Sequence, residues 1–449
     1  MPSSESGSFP TAAHSPFWRA VCSLIILVIA CPAIYRSYGI FRADRIARAD
    51  KTVAGYTKAI GYDPSNATLW WLRGRLYHYS LAAAAPAKAA NDYRKALSIN
   101  PRLAEAWTDL SDCYVQMGRF DEAEAAIEKA IVVRRYSPLI RWQAGNFYLR
   151  RQNLPKMYEC FKLASEYDEQ KLNIAIDVSW KIDPDHERIV DKLIPDNLNA
   201  NLRYLGFLVA RDQLDLASPV WRRFMNNPIP AGVELAPSAA FSYIDKLLAR
   251  ENVDEALGIW DDILRKARSG LSDNRKTAFM PGSRLKNTEN LIWNGSFENE
   301  ILRGGFDWRY NDTPTVQYRI DTANRMQGLK SLRLTFQEEN VASGFLYQIV
   351  PVPEPGSYQM DVFLRTDGLT TDQLPFLSVQ GYPNASGASA RSDFFKPSAE
   401  WSKLSLPFDV QPRCKAIMVL LLRNKSSKFD NAIKGSLWLD GFSLRKVSN

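Results

Sequence analysis

The chain has 449 residues and a formal net charge of +8, from 57 Lys and Arg against 49 Asp and Glu. This length suits two or three domains, and 46% hydrophobic with 12% aromatic residues excludes a mainly disordered chain. The basic residues form no clustered stripe with interleaved aromatic residues, so nucleic acid is not an expected partner. The 3 His and 5 Cys lack metal-ligand spacing, which argues against a zinc site and a disulfide framework.

The N-terminal region combines a polar tail, residues 1–19, with an uncharged apolar segment, residues 20–35. This segment is somewhat shorter than the roughly 20 residues that a spanning helix prefers, but aromatic residues beside it can anchor at the membrane interface. We therefore predict a signal anchor. A lipoprotein signal is an alternative, because Val28-Ile29-Ala30-Cys31 resembles a lipobox, although Pro32 is unusual after its cysteine. A buried soluble helix is disfavoured because the segment has no polar face.

Two arguments about the side of the membrane disagree. Five basic residues follow the apolar segment, between Arg36 and Lys51, whereas only Arg19 precedes it closely. The positive-inside rule would therefore keep the rest of the chain in the cytoplasm. The motifs of the C-terminal region favour the extracytoplasmic side, which we predict.

A repeat of 34 residues dominates the next region. At this interval Ala89, Ala123 and Met157 share one register, and Tyr93, Ile127 and Phe161 share another. Alternation of small and large apolar registers at this period is typical of stacked helical hairpins. The pattern resembles the tetratricopeptide repeat, and its best copy contains Ala104, Trp107, Leu110, Tyr114, Gly118, Ala123, Ile127 and Ala130. We predict such repeats over residues 48–168 and degenerate helical repeats over 169–268, together forming an α-solenoid.

Stacked hairpins leave a curved groove along the first helix of each unit, which suits an extended peptide or a helix. The tetratricopeptide resemblance implies that the groove is lined one and four positions after the tryptophan-type position. Those positions hold Trp71, Arg75, Thr108, Asp112, Trp142 and Asn146. The two tryptophans can alternatively pack between hairpins. A protein is the expected partner of this region.

Residues 269–290 are predicted to be a linker, because polar and turn-forming residues replace the helical period there. From residue 291 to 449 short alternating segments separated by Gly, Pro and Asn predict an antiparallel β-sandwich. The predicted strands include residues 331–336, 344–351, 358–365, 415–422 and 436–444.

Several motifs of this domain resemble those of carbohydrate-binding-module and galactose-binding-like jelly rolls. The opening strand is matched by Leu291–Glu298, the segment after it by Gly304–Trp308, and the closing strand by Leu437–Leu444. The resemblance implies that exposed aromatic rings stack on sugars. The predicted glycan-binding rings are Trp308, Tyr310 and Tyr382. Alternatively these rings fill the core, as most aromatic residues of a sandwich do.

The same resemblance implies a structural calcium ion between the opening and closing strands. Glu298 and Asp440 occupy comparable places. Two carboxylates supply only part of the six to eight oxygen ligands that calcium takes. No other cofactor is expected.

The sequence singles out no catalytic group. It has no phosphate-binding glycine loop and no nucleophile-elbow motif, and no pair of carboxylates stands out for glycoside cleavage. We predict a non-catalytic membrane-anchored adaptor, with repeats that bind a protein and a sandwich that binds glycan, in surface polysaccharide assembly or export. The alternatives are a structural scaffold without glycan binding, and a glycan-processing enzyme or its accessory subunit.

Overall fold

The computed structural model describes residues 16–80, 84–166, 168–230, 233, 235–269, 290–310, 312–429 and 431–447. In these residues fourteen α-helices precede nine β-strands, so the predicted fold class is confirmed. The chain divides into two compact units, Met1–Pro195 and Asp196–Asn449. Most of the predicted polar tail, 1–19, and of the predicted linker, 269–290, lies outside the described residues.

The N-terminal unit is helical. Successive helices pack in pairs from α1 with α2 to α7 with α8. The helices are α1 (Pro16–Ala49), α2 (Val53–Tyr62), α3 (Ala67–Tyr79), α4 (Pro86–Ile99), α5 (Ala104–Gln116), α6 (Phe120–Val133), α7 (Pro138–Arg150), α8 (Leu154–Ser165), α9 (Glu169–Ile182) and α10 (His186–Arg188), which continues as a π-helical turn over Ile189–Leu193.

Close approach within a pair explains the 34-residue pattern. Tyr93 on α4 lies against Gly74 on α3, and Phe161 on α8 lies against Gly145 on α7, so closely that a Cβ atom at either glycine would overlap the ring. Both rings are fully buried. The large residue of one register is therefore accommodated because the facing helix carries a residue without a side chain.

Helix α1 is 34 residues long and continues past the predicted apolar segment. A stretch within it, Ala20–Ala49, is long and apolar enough to cross a membrane, with a mean hydropathy of 2.0 in its most apolar window. The second half of α1 packs on α2, where Ala43 joins a buried cluster with Tyr56 and Ala59. The second half of α1 and α2 therefore form the first helical pair of the array.

The C-terminal unit contains four more helices and all nine strands. Its helices are α11 (Leu198–Ala210), α12 (Leu214–Asn226), α13 (Phe241–Ala249), which follows a 3₁₀ turn over Pro237–Ala240, and α14 (Val253–Ser269). Its strands are β1 (Val316–Asp321), β2 (Ser331–Glu339), β3 (Ser343–Pro351), β4 (Gly356–Thr370), β5 (Phe376–Tyr382), β6 (Ser389–Arg391), β7 (Ser402–Val410), β8 (Ala416–Arg423) and β9 (Ile433–Lys446).

The strands form two antiparallel sheets, one in the order β1-β2-β9-β4-β7 and the other in the order β3-β8-β5-β6. One hydrophobic core contains alternate residues of both sheets. All five strands predicted from the sequence are present. The prediction of an opening strand over Leu291–Glu298 is wrong, because turns with positive φ at Asn294 and Phe297 interrupt it. This segment is nevertheless tied to the end of β9 through a bond from the Leu291 N–H to the Leu444 carbonyl (3.0 Å).

The helical pair α13–α14 packs directly on the sandwich. Gly304 and Gly305 come so close to Phe241 and Trp260 that a Cβ atom at either glycine would overlap the facing ring. The Arg309 guanidinium forms a bidentate ion pair with Asp245 on α13 (2.5 and 3.1 Å). The motif 304–308, which the sequence matches to a sugar-binding module, is therefore the segment that joins the helices to the sandwich.

Candidate functional site

The predicted groove residues lie on helices α3, α5 and α7, and those on α3 make the most contacts with the next pair. The half-buried Trp71 donates from its indole Nε1 to Asp109 Oδ2 on α5 (2.8 Å). The Arg75 guanidinium lies 5.3 Å from the centre of the Trp71 ring and 5.5 Å from that of Tyr79. The side chain of Arg75 remains 48% exposed. Arg75 Nε also lies 3.7 Å from Asp109 Oδ2. Trp71 and Arg75 therefore lie together, and the partly exposed guanidinium is already paired with a buried carboxylate.

Asp109 is the carboxylate that the α3 side chains contact, and it was not predicted from the sequence. It is 6% exposed and accepts from the Tyr79 hydroxyl (2.9 Å) as well as from Trp71. Burial raises the pKa of Asp109, while the hydrogen bonds from Trp71 and Tyr79 oppose the change. The signal was a carboxylate in the register that holds Leu72 in the preceding unit. A charge at a normally apolar register indicates a dedicated set of partners.

A second polar chain runs along the same three helices. Asp112 accepts from the Arg150 guanidinium on α7 (3.1 Å), and their side chains are 41% and 53% exposed. His78 contacts Gln116 through Nε2 (2.9 Å) and the Tyr93 hydroxyl through Nδ1 (3.3 Å). Burial lowers the pKa of His78 and raises that of Asp112. The surface of this face thus carries charges of both signs.

Three further predicted groove residues have mainly internal contacts. Thr108 is 2% exposed and donates to the Glu105 carbonyl (2.9 Å), so its prediction as a lining residue is wrong. Thr108 is buried because helix α5 packs against α3, α4, α6 and α7. The Trp142 ring lies 4.7 Å from that of Phe161 in the same helical pair, which matches the packing alternative. Asn146 donates to the Trp142 carbonyl (2.9 Å) and is half-buried.

Of the three predicted sugar-binding rings, Trp308 belongs to the core. It is 1% exposed, lies 4.6 Å from the Phe442 ring, and donates from Nε1 to the Asn294 carbonyl (3.1 Å). The prediction that Trp308 stacks on sugar is wrong, because the side chain fills the space between the sheets.

Tyr310 is half-buried, with Tyr318 stacked at 4.2 Å and the Arg303 guanidinium 4.2 Å from its ring centre. These two neighbours occupy much of its ring surface. Its role in glycan binding stays a prediction.

Tyr382 lies beside a cavity of about 340 Å³, between the turn that joins α13 to α14 and the loops after β5 and β7. Glu251 from that turn accepts from the Asn384 amide (3.2 Å), and Arg413 adds a cation. Burial raises the pKa of the half-buried Tyr382. An aromatic ring beside amide and charged groups is the combination that sugar sites use.

Glu298 and Asp440 hold a loop rather than an ion. Asp440 Oδ2 accepts from the backbone N–H groups of Met326 (2.7 Å) and Gln327 (2.8 Å). Glu298 Oε1 accepts from the N–H groups of Leu329 (2.7 Å) and Lys330 (3.0 Å). Among the described residues no group of three or more His, Cys, Asp or Glu side chains is placed to hold a metal. The predicted calcium site is not supported by this geometry, because N–H donors face the oxygens that calcium would need.

One family model matches a part of the helical region. The family model of the tetratricopeptide repeat matches residues 80–132, which include α4, α5 and nearly all of α6. That part of the chain is a tetratricopeptide repeat. No curated protein sequence matches the chain.

Solved structures similar to the chain include members of both classes. The first CBM22 xylan-binding domain of Paenibacillus barcinonensis Xyn10C is 15% identical, with 34% of this chain and 94% of that chain covered and a TM-score of 0.25. TmCBM61 in complex with β-1,4-galactotriose is 18% identical, with 36% and 100% covered and a TM-score of 0.26. YrrB, a TPR protein with an unusual peptide-binding site, is 18% identical, with 49% and 94% covered and a TM-score of 0.24.

Proposed function

We propose that the protein is a non-catalytic, membrane-anchored adaptor whose helical repeats bind a protein and whose β-sandwich binds glycan, in assembly or export of a surface polysaccharide. The observation that carries the protein-binding half is the face shared by α3, α5 and α7. There the exposed Arg75 is held over Trp71, beside the paired charges of Asp112 and Arg150. A positioned cation on an aromatic ring loses little freedom when it meets an acidic or amide group of a partner.

This half is tested by affinity capture from source cells, with the full chain in a neutral detergent as bait. Partners that use the groove bind the wild type and are lost on Arg75→Ala and reduced on Asn146→Ala. Lys129→Ala on α6 is the matched control, because it removes an exposed cation from another helix. Partners retained equally by all four baits would contradict groove binding.

The glycan-binding half is supported by the cavity beside Tyr382. Its lining joins one aromatic ring to the polar groups of Asn384, Gln411 and Arg413. On a glycan array the full chain binds a saccharide, and Tyr382→Ala removes the signal. Phe429→Ala is the control because Phe429 is a fully exposed ring elsewhere in the sandwich. An array without any bound saccharide would remove this half of the proposal.

The membrane anchor is supported by α1, whose first half exposes a run of large apolar side chains between Leu24 and Tyr35. We place the soluble part on the extracytoplasmic side. Protease added to intact cells then digests the sandwich, whereas protection in intact cells and digestion only after lysis would reverse the orientation. Radioactive palmitate incorporation that is lost on Cys31→Ser would instead favour the lipoprotein alternative.

One observation favours the alternative of a structural scaffold. The α13–α14 pair is joined to the sandwich by buried rings and by the Arg309–Asp245 pair. A sandwich whose purpose is to cap the last helices would need such a contact and no glycan. Wild-type function in cells carrying Tyr382→Ala would support that alternative.

A further inference from the structure

A row of aligned residues crosses the outer face of the five-stranded sheet. Arg319 on β1 pairs in register with Arg333 on β2, Arg333 pairs with Trp438 on β9, and Trp438 pairs with Arg365 on β4. Directly opposed residues of antiparallel strands point to the same face. The residues beside the row in each central strand, such as Leu334 and Leu437, are buried in the core. The arginine row, Arg319, Arg333, Trp438 and Arg365, therefore faces outward.

The charges of the arginine row are not neutralised. In the described part of the chain no carboxylate lies within ion-pair distance of its three arginines. Arg333 donates to the Ser436 hydroxyl (3.0 Å) and Arg365 to the Asn324 amide oxygen (2.6 Å), both neutral acceptors. The Nε of Arg365 is buried and has no hydrogen-bond partner among the described residues.

Arg319 and Arg333 stand directly opposite each other, an arrangement that destabilises a sheet when nothing separates the charges. Arg319 is exposed. The nearby carboxylate of Asp321 is engaged elsewhere, since it accepts from the Trp438 indole (2.8 Å) and from Asn324. These hydrogen bonds lower the pKa of Asp321 to about 2 although burial opposes them. The protein thus keeps two cations opposed beside an acid that pairs with neither.

Trp438 fixes the spacing of Arg333 and Arg365, which lie on either side of it in the row. The indole is 3% exposed, with the Arg333 guanidinium 4.9 Å and the Arg365 guanidinium 5.5 Å from its ring. Neighbouring strands are about 4.8 Å apart, so these two arginines originate about 10 Å from each other. Stacking on an aromatic ring restricts each guanidinium before any ligand arrives. Planar guanidinium groups fit carboxylates bidentately.

We propose that the arginine row binds an acidic polysaccharide through carboxylates carried along its chain. A linear polyanion can reach cations on successive strands, which a single small anion cannot. Single-stranded nucleic acid is disfavoured, because it needs exposed rings for base stacking and the indole of this row is covered. The row lies on the sheet opposite to that of Tyr382, so this proposal does not depend on the cavity beside Tyr382.

The test compares polygalacturonate with the same polymer after methyl esterification, which keeps the sugar chain and removes the charge. The full chain in neutral detergent binds polygalacturonate with an affinity that falls as salt is raised, and binds the methyl ester at least tenfold more weakly. Equal binding of the two polymers would overturn the proposal. So would tighter binding of an oligo-dT strand than of polygalacturonate.

Variants locate the binding. Arg319→Gln and Arg365→Gln each weaken polygalacturonate binding by about tenfold, the effect of losing one charge-assisted contact. Arg391→Gln is the matched control, because Arg391 is an exposed arginine on β6 of the other sheet, stacked on the Phe376 ring and outside both the row and the cavity. Wild-type affinity of both row variants, or an equal loss in Arg391→Gln, would place the binding elsewhere.

Thermal stability separates loss of a ligand contact from loss of fold. Arg319→Gln removes the like-charge opposition to Arg333, so in the absence of polymer its melting temperature is at or above that of the wild type. A weaker binder that is not less stable supports a binding role. A variant that melts earlier than wild type would show that Arg319 is structural and would overturn its assignment. A glycan signal that survives Arg319→Gln but not Tyr382→Ala would leave the proposed function standing without the arginine row.

Discussion

The two units use the same packing device for different purposes. In the N-terminal unit a glycine of one helix receives an aromatic ring of the next, as Gly74 receives Tyr93, and the contact closes a helical pair. In the C-terminal unit the rings belong to α13 and α14 and the glycines, Gly304 and Gly305, belong to the sandwich. The first arrangement leaves polar side chains of α3 and α5 available on the other face. In the second arrangement the β-sandwich covers the helical surface, so the α13–α14 pair and the sandwich form one unit.

Among the substitutions that test this comparison, replacement of Gly305 should have the largest effect on the free energy of unfolding. Gly305 has a φ of +58° and a Cβ atom there would overlap Trp260. Gly305→Ala should lower the free energy of unfolding of the C-terminal unit by about 2–4 kcal/mol, from backbone strain together with overpacking. Urea unfolding of the full chain measures it.

The control for that experiment is Gly368→Ala. Gly368 has the same φ of +58°, but no atom lies within 4 Å of its would-be Cβ. It should therefore show the backbone cost alone, about 1 kcal/mol. Equal losses in the two variants would mean that the close approach to Trp260 contributes nothing to stability.

The next effect concerns the ion pair between α13 and the sandwich. Asp245→Ala should cost about 2 kcal/mol, because it leaves the Arg309 guanidinium with only the Gly305 carbonyl as acceptor in a site where only 13% of that side chain is exposed. Glu354→Ala breaks the exposed pair with Lys446 and should have little effect on stability, because solvent screens this pair. Urea unfolding compares the two variants. A loss in unfolding free energy for Asp245→Ala no larger than that for Glu354→Ala would show that the ion pair contributes little to the packing of α13 on the sandwich.

A smaller effect is expected in the N-terminal unit. Asp109→Ala removes the acceptor of the Trp71 indole and of the Tyr79 hydroxyl, so it should cost about 1–2 kcal/mol. Asp112→Ala is the matched carboxylate on the same helix, and its partly exposed pair with Arg150 should be worth less than about 1 kcal/mol. Thermal unfolding of the two variants, together with hydrogen exchange of the backbone amides of α3 and α5, distinguishes their effects. Similar losses would show that Asp109 does not organise this face.

The fold was predictable because periodicity is a local signal. Tyr93 and Phe161 revealed the helical period, and alternation in residues 331–336 and 436–444 revealed two strands. The strands β1, β5, β6 and β7 were missed. Two of these strands lie at sheet edges and have a weak pattern: β6 is three residues long, and β1 exposes Gln317, Arg319 and Ile320.

The candidate site was harder to predict because it depends on which face a residue occupies. Trp308 carries a motif that suggests sugar binding, yet its ring is in the core, since a family motif records a position in the chain and not an exposure. Thr108 occupies a repeat position that is predicted to line the groove, yet it is buried. Its neighbour Asp109, which was not predicted, accepts hydrogen bonds from Trp71 and Tyr79. The arginine row is visible only after strand register is known, because its members are far apart in sequence.

The smallest of the four effects is expected on acidification, which should lower the stability of the N-terminal unit through His78. His78 is 7% exposed, and burial lowers its pKa below the ordinary value of 6.5. Below pH 6.5 the unfolded chain therefore binds more protons at this site than the folded chain, so the contribution of His78 to stability is present above that pH and is lost as the pH falls. An NMR titration of the His78 ring should give the lowered pKa directly, and His78→Gln should flatten the stability of the N-terminal unit between pH 7 and pH 5. Burial also raises the pKa of Asp109 and of Asp112, toward this window, so a double variant with Asp109→Asn is needed to separate the contribution of Asp109 from that of His78. A His78 pKa at or above 6.5 would show that its contacts with Gln116 and Tyr93 do not shield it, and that the polar face is more open to water than the packing of its neighbours indicates.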